Sequence, residues 1–280
     1  MASGSLARSG RRRLGRHIAI LIGCATVCSL FTGCASSNKV PTGTREPDKF
    51  LFERGTALLT DEKWLPAREM LRQIVENFPQ SLYRPDAKLG VGDSYLGEGT
   101  TASLVLAINE FKEFLTFYPT HQRADYAQYK LGFAHFRQML APQRDQTETR
   151  EAIREFQTFV ERYPNSSLLE EVRARLRDSR DRFSDSEYHV GFFYFRSRWY
   201  PGAIDRFKTL LKNDPGYTRR DAVYFYLAEA LLKGDNKAEA LPYYERLIKE
   251  FEQSEYLEDA QKRIGELKPS LSPSPSTHPA

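Results

Sequence analysis

The sequence predicts an all-α chain: a solenoid of five helix hairpins with one long connecting helix. Three observations carry that prediction. One phrase recurs five times, as "AREMLRQIVENFP" (67–79), "AINEFKEFLTFYP" (107–119), "AIREFQTFVERYP" (152–164), "AIDRFKTLLKNDP" (203–215) and, without the final proline, "ALPYYERLIKEFE" from Ala240. Each phrase has a small residue upstream: Gly55, Gly92, Gly132, Gly191 and Ala228. From the proline of one phrase to the next small residue, one junction is fourteen residues longer than the other three. A catalytic constellation appears once in a chain, whereas a packing solution is reused, so the phrase marks a structural repeat.

The N-terminus reads as a targeting segment. The first 33 residues hold five arginines (Arg8, Arg11, Arg12, Arg13, Arg16) and no acid, and an apolar run, "HIAILIGCATVCSLFTG" (17–33), follows the basic stretch. It is short and interrupted for a spanning helix. It closes on "LFTGC" (30–34), which resembles the lipobox of bacterial lipoproteins, with small Thr32 and Gly33 before Cys34 and Phe31 where leucine is usual. The resemblance implies a signal peptide over 1–33 and lipidation of Cys34, several acyl chains giving stable anchoring where one is marginal. "LIGC" (21–24) also fits, so Cys24 stays as an alternative, although it leaves a short apolar core. All three cysteines (Cys24, Cys28, Cys34) lie in or at the end of this segment. The body therefore has no disulfide to lean on and needs a core of its own. Ala35 and Ser36 follow, without the aspartate that retains enteric lipoproteins at the inner membrane, which favours the outer membrane.

After a tether over 34–47, three repeats span 48–166. Aligned on Ala67, Ala107, Ala152, Ala203 and Ala240, the phrases place a large residue four positions on (Leu71, Phe111, Phe156, Phe207, Tyr244). A second apolar residue stands seven on (Ile74, Phe114, Phe159, Leu210, Leu247). Offsets 0, 4 and 7 share one helical face. Pro79, Pro119, Pro164 and Pro215, twelve on, stop each helix. The alanine is small because another helix must cross closely there. A small residue, a turn, then alanine, an aromatic and proline resembles the tetratricopeptide repeat over about Asp48 to Leu267.

From proline to the next small residue is thirteen positions in three junctions, but twenty-seven from Pro164 to Gly191. Fourteen extra residues are close to four helical turns. The insert "LLEEVRARLRDSRDRF" (168–183) has no glycine or proline, so one long helix is expected over about 167–198. It opens a second half, 167–267, with repeats four and five. The tail over 268–280, "KPSLSPSPSTHPA", is rich in proline and serine and is expected to be disordered.

Little in the chain suggests chemistry. There is no phosphate loop, dinucleotide fingerprint or nucleophile elbow, and His17, His121, His135, His189 and His278 form no local ligand spacing. No catalytic residue, metal or cofactor is expected. His135 takes the slot of Tyr95 and Tyr194 and reads as a packing residue. Beyond residue 33 the chain has 36 basic and 37 acidic side chains, so no basic face for nucleic acid is expected. "RARLRDSRDR" (173–182) reads as a surface ion-pair ladder, or alternatively a partner patch.

In tetratricopeptide repeats the first helices line a groove. By register the third copy places Tyr126, Tyr129, Phe133, Phe136 and Arg137 toward it. The first two copies place Phe52, Leu59, Leu89, Asp93 and Leu96 there, and the fourth Tyr188, Phe192 and Phe195. Such a surface suits an extended or helical peptide, unless neighbouring repeats bury these residues as core.

Two stretches narrow the reading: "RDQTETREAIREFQTFVERYPNS" (144–166) and "YHVGFFYFRSRWYPGAIDRF" (188–207). With the lipobox and five repeats, the chain resembles the BamD (YfiO) family, lipoproteins of the outer-membrane β-barrel assembly machine. The resemblance implies a periplasm-facing scaffold that binds the POTRA domains of the BamA barrel and handles unfolded outer-membrane proteins. It places the substrate pocket in the N-terminal half and the barrel-subunit contact in the C-terminal half, where Arg206 stands at the place of an arginine near that contact. Rival readings are another tetratricopeptide lipoprotein, such as a pilus-secretin pilotin or a cell-envelope adaptor to peptidoglycan enzymes. No feature supports an enzyme. The anchoring expectation is tested directly: Cys34→Ser should release the protein from outer membranes or trap its precursor, read by fractionation. Normal lipidation of Cys34→Ser with loss in Cys24→Ser would move the site to Cys24.

Overall fold

The computed structural model describes residue 40 and residues 42–271, so Cys34, the leader and most of the tether lie outside the described residues. Among those described stand eleven α-helices and no strand. They pair as hairpins: α1 (Pro47–Thr60) with α2 (Trp64–Asn77), α3 (Arg84–Glu98) with α4 (Thr101–Phe117), and α5 (Ala124–Phe136) with α6 (Thr147–Arg162). The second half pairs α7 (Leu169–Arg196) with α8 (Tyr200–Asn213) and α9 (Arg220–Lys233) with α10 (Lys237–Glu250), and α11 (Leu257–Leu271) covers the last hairpin.

The repeat register is the packing register. Ala67, Ala107, Ala152, Ala203 and Ala240 are fully buried, as are the large residues four positions on. Each of those large side chains lies on the small residue of the preceding helix. A Cβ built on Gly55 would stand 2.7 Å from Leu71, and on Gly92, Gly132 and Gly191 it would stand 2.7 Å from the rings of Phe111, Phe156 and Phe207. Only glycine leaves room for a ring at that distance. In the fifth hairpin Ala228 and Tyr244 take the corresponding positions, and both are fully buried in one core cluster.

Helix ends follow from the prolines. α2, α4, α6 and α8 stop two residues before Pro79, Pro119, Pro164 and Pro215. The intervening Phe78, Tyr118, Tyr163 and Asp214 hold φ between −125 and −134° with positive ψ, outside the helical region, which is where the proline ring pushes its predecessor. α4 has a side-chain cap, Thr100 Oγ1 accepting from Ser103 N at 3.1 Å.

A second recurring contact was not visible in the repeat phrase. In every hairpin an aspartate of the first helix is tied to the turn after the second. Ser81 donates to Asp48 (2.7 Å), Arg123 to Asp86 (2.8 Å), Ser166 to Asp125 (2.6 Å), Tyr217 to Asp185, and Ser254 to Asp221 (2.7 Å). The Ser81 hydroxyl holds the Asp48 carboxyl below its usual value.

α7 is the long helix, 28 residues or about 42 Å, and its ends fall within two residues of those expected from the sequence. Its first half closes the third hairpin, with Val172 fully buried in the cluster of Tyr129, Ala152, Phe156 and Phe159. Its second half opens the fourth, with Tyr188 packed on Phe207 and Ala203. The charged run in between is more than a surface ladder. Arg173 pairs with Glu170 at 2.8 Å, but Arg177 reaches Asp214 beyond α8, Ser184 donates to the same carboxylate at 2.6 Å, and Asp181 accepts from Thr218 N at 3.1 Å.

One expectation is corrected at the C-terminus. Residues 268–271 are helical rather than part of a disordered tail, and residues 272–280 lie outside the described residues. Leu267, 4% exposed, anchors this last turn, and Pro269, which lacks a donor for the helical ladder, stands two residues before the helix ends.

Two outcomes follow from this packing. Gly132→Val should overpack the crossing and lower stability by about 1–3 kcal/mol, and combining it with Phe156→Leu should return part of the loss in a denaturation cycle. Asp214 tests the clasp on α7. Burial alone would raise its carboxyl, but Arg177 and Ser184 hold it below the usual value. A depressed carboxyl contributes stability above the unfolded value of about 3.9, and that stability is lost as pH falls through the lower folded value. Asp214→Asn should therefore melt earlier than the parent at pH 7, with the gap closing below about pH 4.

Candidate functional site

Five of the residues expected in a groove come together on the first helices of the second and third hairpins. Tyr126 of α5 donates its hydroxyl to both oxygens of Asp93 on α3, at 2.9 and 3.0 Å. Burial raises the Asp93 carboxyl, opposed by the charges of Lys130 and Arg123, and burial together with Asp93 raises the Tyr126 hydroxyl. The Arg123 guanidinium lies over the Tyr126 ring at 4.6 Å. One turn further along α5 begins an aromatic ladder. Tyr129 stacks on Phe133 at 5.9 Å, and Phe133 on Phe136 at 6.0 Å. The spacing 129, 133, 136 puts all three on one helical face.

α7 closes over this ladder. Tyr129 donates to Glu171 Oε1, and burial with that carboxylate pushes its hydroxyl up to about 12. Arg175 lies over Phe133 at 5.5 Å and over Phe136 at 5.2 Å. Tyr129 itself is buried in the core of the third hairpin, whereas the two phenylalanines are half-buried, with one cationic side chain above them. A ladder of this kind can take apolar side chains of a peptide once the arginine moves aside.

The other expected groove residues stand elsewhere. Leu89 is fully buried and Leu96 nearly so, and both belong to the core. α3 packs between α2 and α4 and also touches α1 and α5. Phe52 is half-buried against Tyr83, ring to ring at 5.0 Å. Arg137, an exposed residue, turns its guanidinium to the Leu96 carbonyl near the end of α3, where a cation satisfies a helix C-terminus. In the fourth hairpin Tyr188, Phe192 and Phe195 gather round Tyr226 of α9, at 6.3, 4.8 and 5.3 Å.

Arg206 lies on a different surface. It lines a cleft of about 580 Å³ whose walls are α6, α7 and α8, with Arg150, Gln157, Arg180 and Phe183 among its neighbours. Its guanidinium is 3.5 Å from Glu187, and both side chains are partly open to solvent. A second cleft, of about 560 Å³, lies between the loop over 142–146 and α7. Gln146 folds that loop: its amide donates to the Ala141 and Arg144 carbonyls at 2.9 and 3.1 Å, and its oxygen accepts from Thr149 at 2.8 Å. Sequence reading missed the apolar residues on this side, Val190, Phe193 (64% exposed) and Trp199 (54%). The run "GFFYF" (191–195) carried the signal, because a helix apolar on successive positions presents more than one apolar face.

Stacked hairpins with a glycine–aromatic crossing, joined by one shared helix, define a tetratricopeptide-repeat scaffold, and residues 222–254 match the tetratricopeptide-repeat family. The chain belongs to the YfiO family of outer membrane lipoproteins, which it matches over residues 44–236. It is 27% identical over 217 residues to the outer membrane protein assembly factor BamD of Caulobacter vibrioides, covering 76% of this chain and 70% of that one. It is 26% identical over 197 residues to BamD of Vibrio cholerae, covering 67% and 80%. Among solved structures, the TPR2AB domain of yeast Sti1 in complex with pHSP90 aligns over 80% of this chain and 83% of its own. The identity is 13% and the TM-score 0.43.

Proposed function

We propose that the protein is an outer-membrane scaffold, lipid-anchored at Cys34 on the periplasmic face, that helps assemble and insert β-barrel outer-membrane proteins. It does so by holding a BamA-like POTRA partner and an unfolded barrel substrate, without catalysis of its own. The observation that carries this reading is the family match over residues 44–236, which runs through both halves and α7, together with relatives named as outer membrane protein assembly factors.

In this reading two surfaces divide the work, one based on the first half (48–166) and one where that half meets the second (167–267). The ladder of Tyr129, Phe133 and Phe136 beside the Asp93–Tyr126 pair takes the substrate peptide, and the open cleft at Arg206 takes the POTRA partner. The ladder lies on first helix α5 under Arg175 of α7, whereas the Arg206 cleft is walled by second helices α6 and α8 as well as α7. Different helix faces of one rigid body support two surfaces that can be damaged separately.

Arg206→Glu should weaken capture of POTRA domains by about tenfold or more, some 1.4 kcal/mol, and leave crosslinking to a C-terminal barrel peptide near the parent level. Phe133→Ala with Phe136→Ala should do the reverse in protein whose helical signal is retained. Loss of both partners in both folded variants would merge the surfaces. Binding of neither partner by the parent would favour the pilotin or adaptor reading.

A further inference from the structure

The third hairpin contains a buried side chain that its packing leaves incomplete. His135 of α5 is 5% exposed. Its Nδ1 is 2.7 Å from Glu148 Oε2, while its Nε2 is buried and has no hydrogen-bond partner. A ring nitrogen out of water and without a partner is costly, and a native site normally supplies one. Glu148, Glu151 and Glu155 follow at spacings of three and four along α6, which sets them on one face. One ligand-capable atom each from His135, Glu151 and Glu155 lie within 4.8 Å of one another. Since Glu148 holds Nδ1, Nε2 is the ring nitrogen free to serve as a ligand.

We propose that His135, Glu151 and Glu155 bind a divalent first-row transition cation, with Zn²⁺ as the favoured occupant, and that the ion staples α5 to α6. One imidazole and two carboxylates form a nitrogen–oxygen donor set suited to Zn²⁺ and Co²⁺, with water in a fourth position. The surroundings match what orients metal ligands. Glu148 fixes the ring by accepting from Nδ1–H, the usual arrangement behind a metal-bound histidine. Gln128, itself buried, donates to Glu155 Oε2 at 2.8 Å and to the Glu155 carbonyl at 3.1 Å, which sets that carboxylate's rotamer.

Two features bear on occupancy. Metal–ligand lengths near 2.1 Å place ligand atoms about 3.4 Å apart in a tetrahedral shell, so the cluster must close by up to about 1.4 Å. Glu151, on the open side with 30% of its side chain exposed, can make that movement. Arg154 pairs with both carboxylates, at 2.8 Å to Glu155 Oε1, and with 58% of its side chain exposed it can swing into solvent when an ion takes over the charge.

The test is titration of the full-length protein in detergent with Zn²⁺, and with Co²⁺ followed by visible absorption. One equivalent should bind with nitrogen–oxygen ligation, and the melting temperature should rise with Zn²⁺ by linkage. His135→Gln and Glu155→Gln should abolish binding. Because both are buried, Glu151→Gln is the deciding variant: it should fold like the parent and lose at least about tenfold in Zn²⁺ affinity. His121→Gln should bind as the parent does. No binding by the folded parent, undiminished affinity in Glu151→Gln, or a thiolate charge-transfer band from the cysteines would each overturn the proposal.

Discussion

The structure depends on one steric fit, a ring laid on a residue without a side chain. Phe111, Phe156 and Phe207 occupy space at Gly92, Gly132 and Gly191 that any Cβ would enter, at 2.7 Å in each case. This fit sets how closely the two helices of a hairpin approach and which faces meet. The alanine four residues before each ring then falls at the crossing and is fully buried. Once a hairpin is fixed, its next partner has little freedom, since each repeat contacts chiefly its neighbours and the stack grows by nearest-neighbour packing. The leucine version in the first hairpin (Leu71 on Gly55) and the tyrosine–alanine version in the fifth keep the fit with different volumes. The slot is therefore tuned at the two ends of the stack and most uniform in the middle.

Apolar packing of this kind does not by itself set where each hairpin closes. The recurring tie from a first-helix aspartate to the turn behind the second helix supplies that, with a different donor where the turn differs: serine in three hairpins, arginine in the second and tyrosine in the fourth. At the middle of the chain a stronger device is used. Arg177 and Ser184 of α7 both engage Asp214, the residue before the proline that ends α8. The long helix is thereby held to the turn at its side, as well as to the cores at its two ends.

The sequence disclosed the parts that repeat. The register of Ala152, Phe156 and Phe159, the glycine upstream and the fourteen-residue insertion were all readable, because a packing rule used five times rises above the noise of any single copy. The aspartate ties were less legible, since the donor changes identity from hairpin to hairpin. The groove was legible only in part. Register places Leu89 and Tyr129 at comparable positions, and both are buried, whereas Phe133 and Phe136 further along α5 stay half-buried, because burial depends on neighbours that a periodicity does not name. The partners of His135 were hidden for the same reason. Glu148, Glu151 and Glu155 belong to another helix across a loop, so no local ligand spacing announces them.

α7 gives the two proposed surfaces their relation. A fourteen-residue insertion close to a whole number of turns lengthens the helix while nearly preserving its facing. Val172 near its start and Tyr188 near its end can therefore both point into cores, each belonging to a different hairpin. The same helix presents Arg175 to the Phe133–Phe136 ladder and Glu187 to Arg206, three turns further on. In the proposed function, displacing Arg175 to admit a peptide and engaging Arg206 with a partner would both act on one continuous helix whose middle is clasped to Asp214. A clasped helix resists bending between its ends, so it keeps the surfaces at a fixed distance and limits what one site can report to the other. A scaffold that must hold two partners in a set geometry is served by that stiffness.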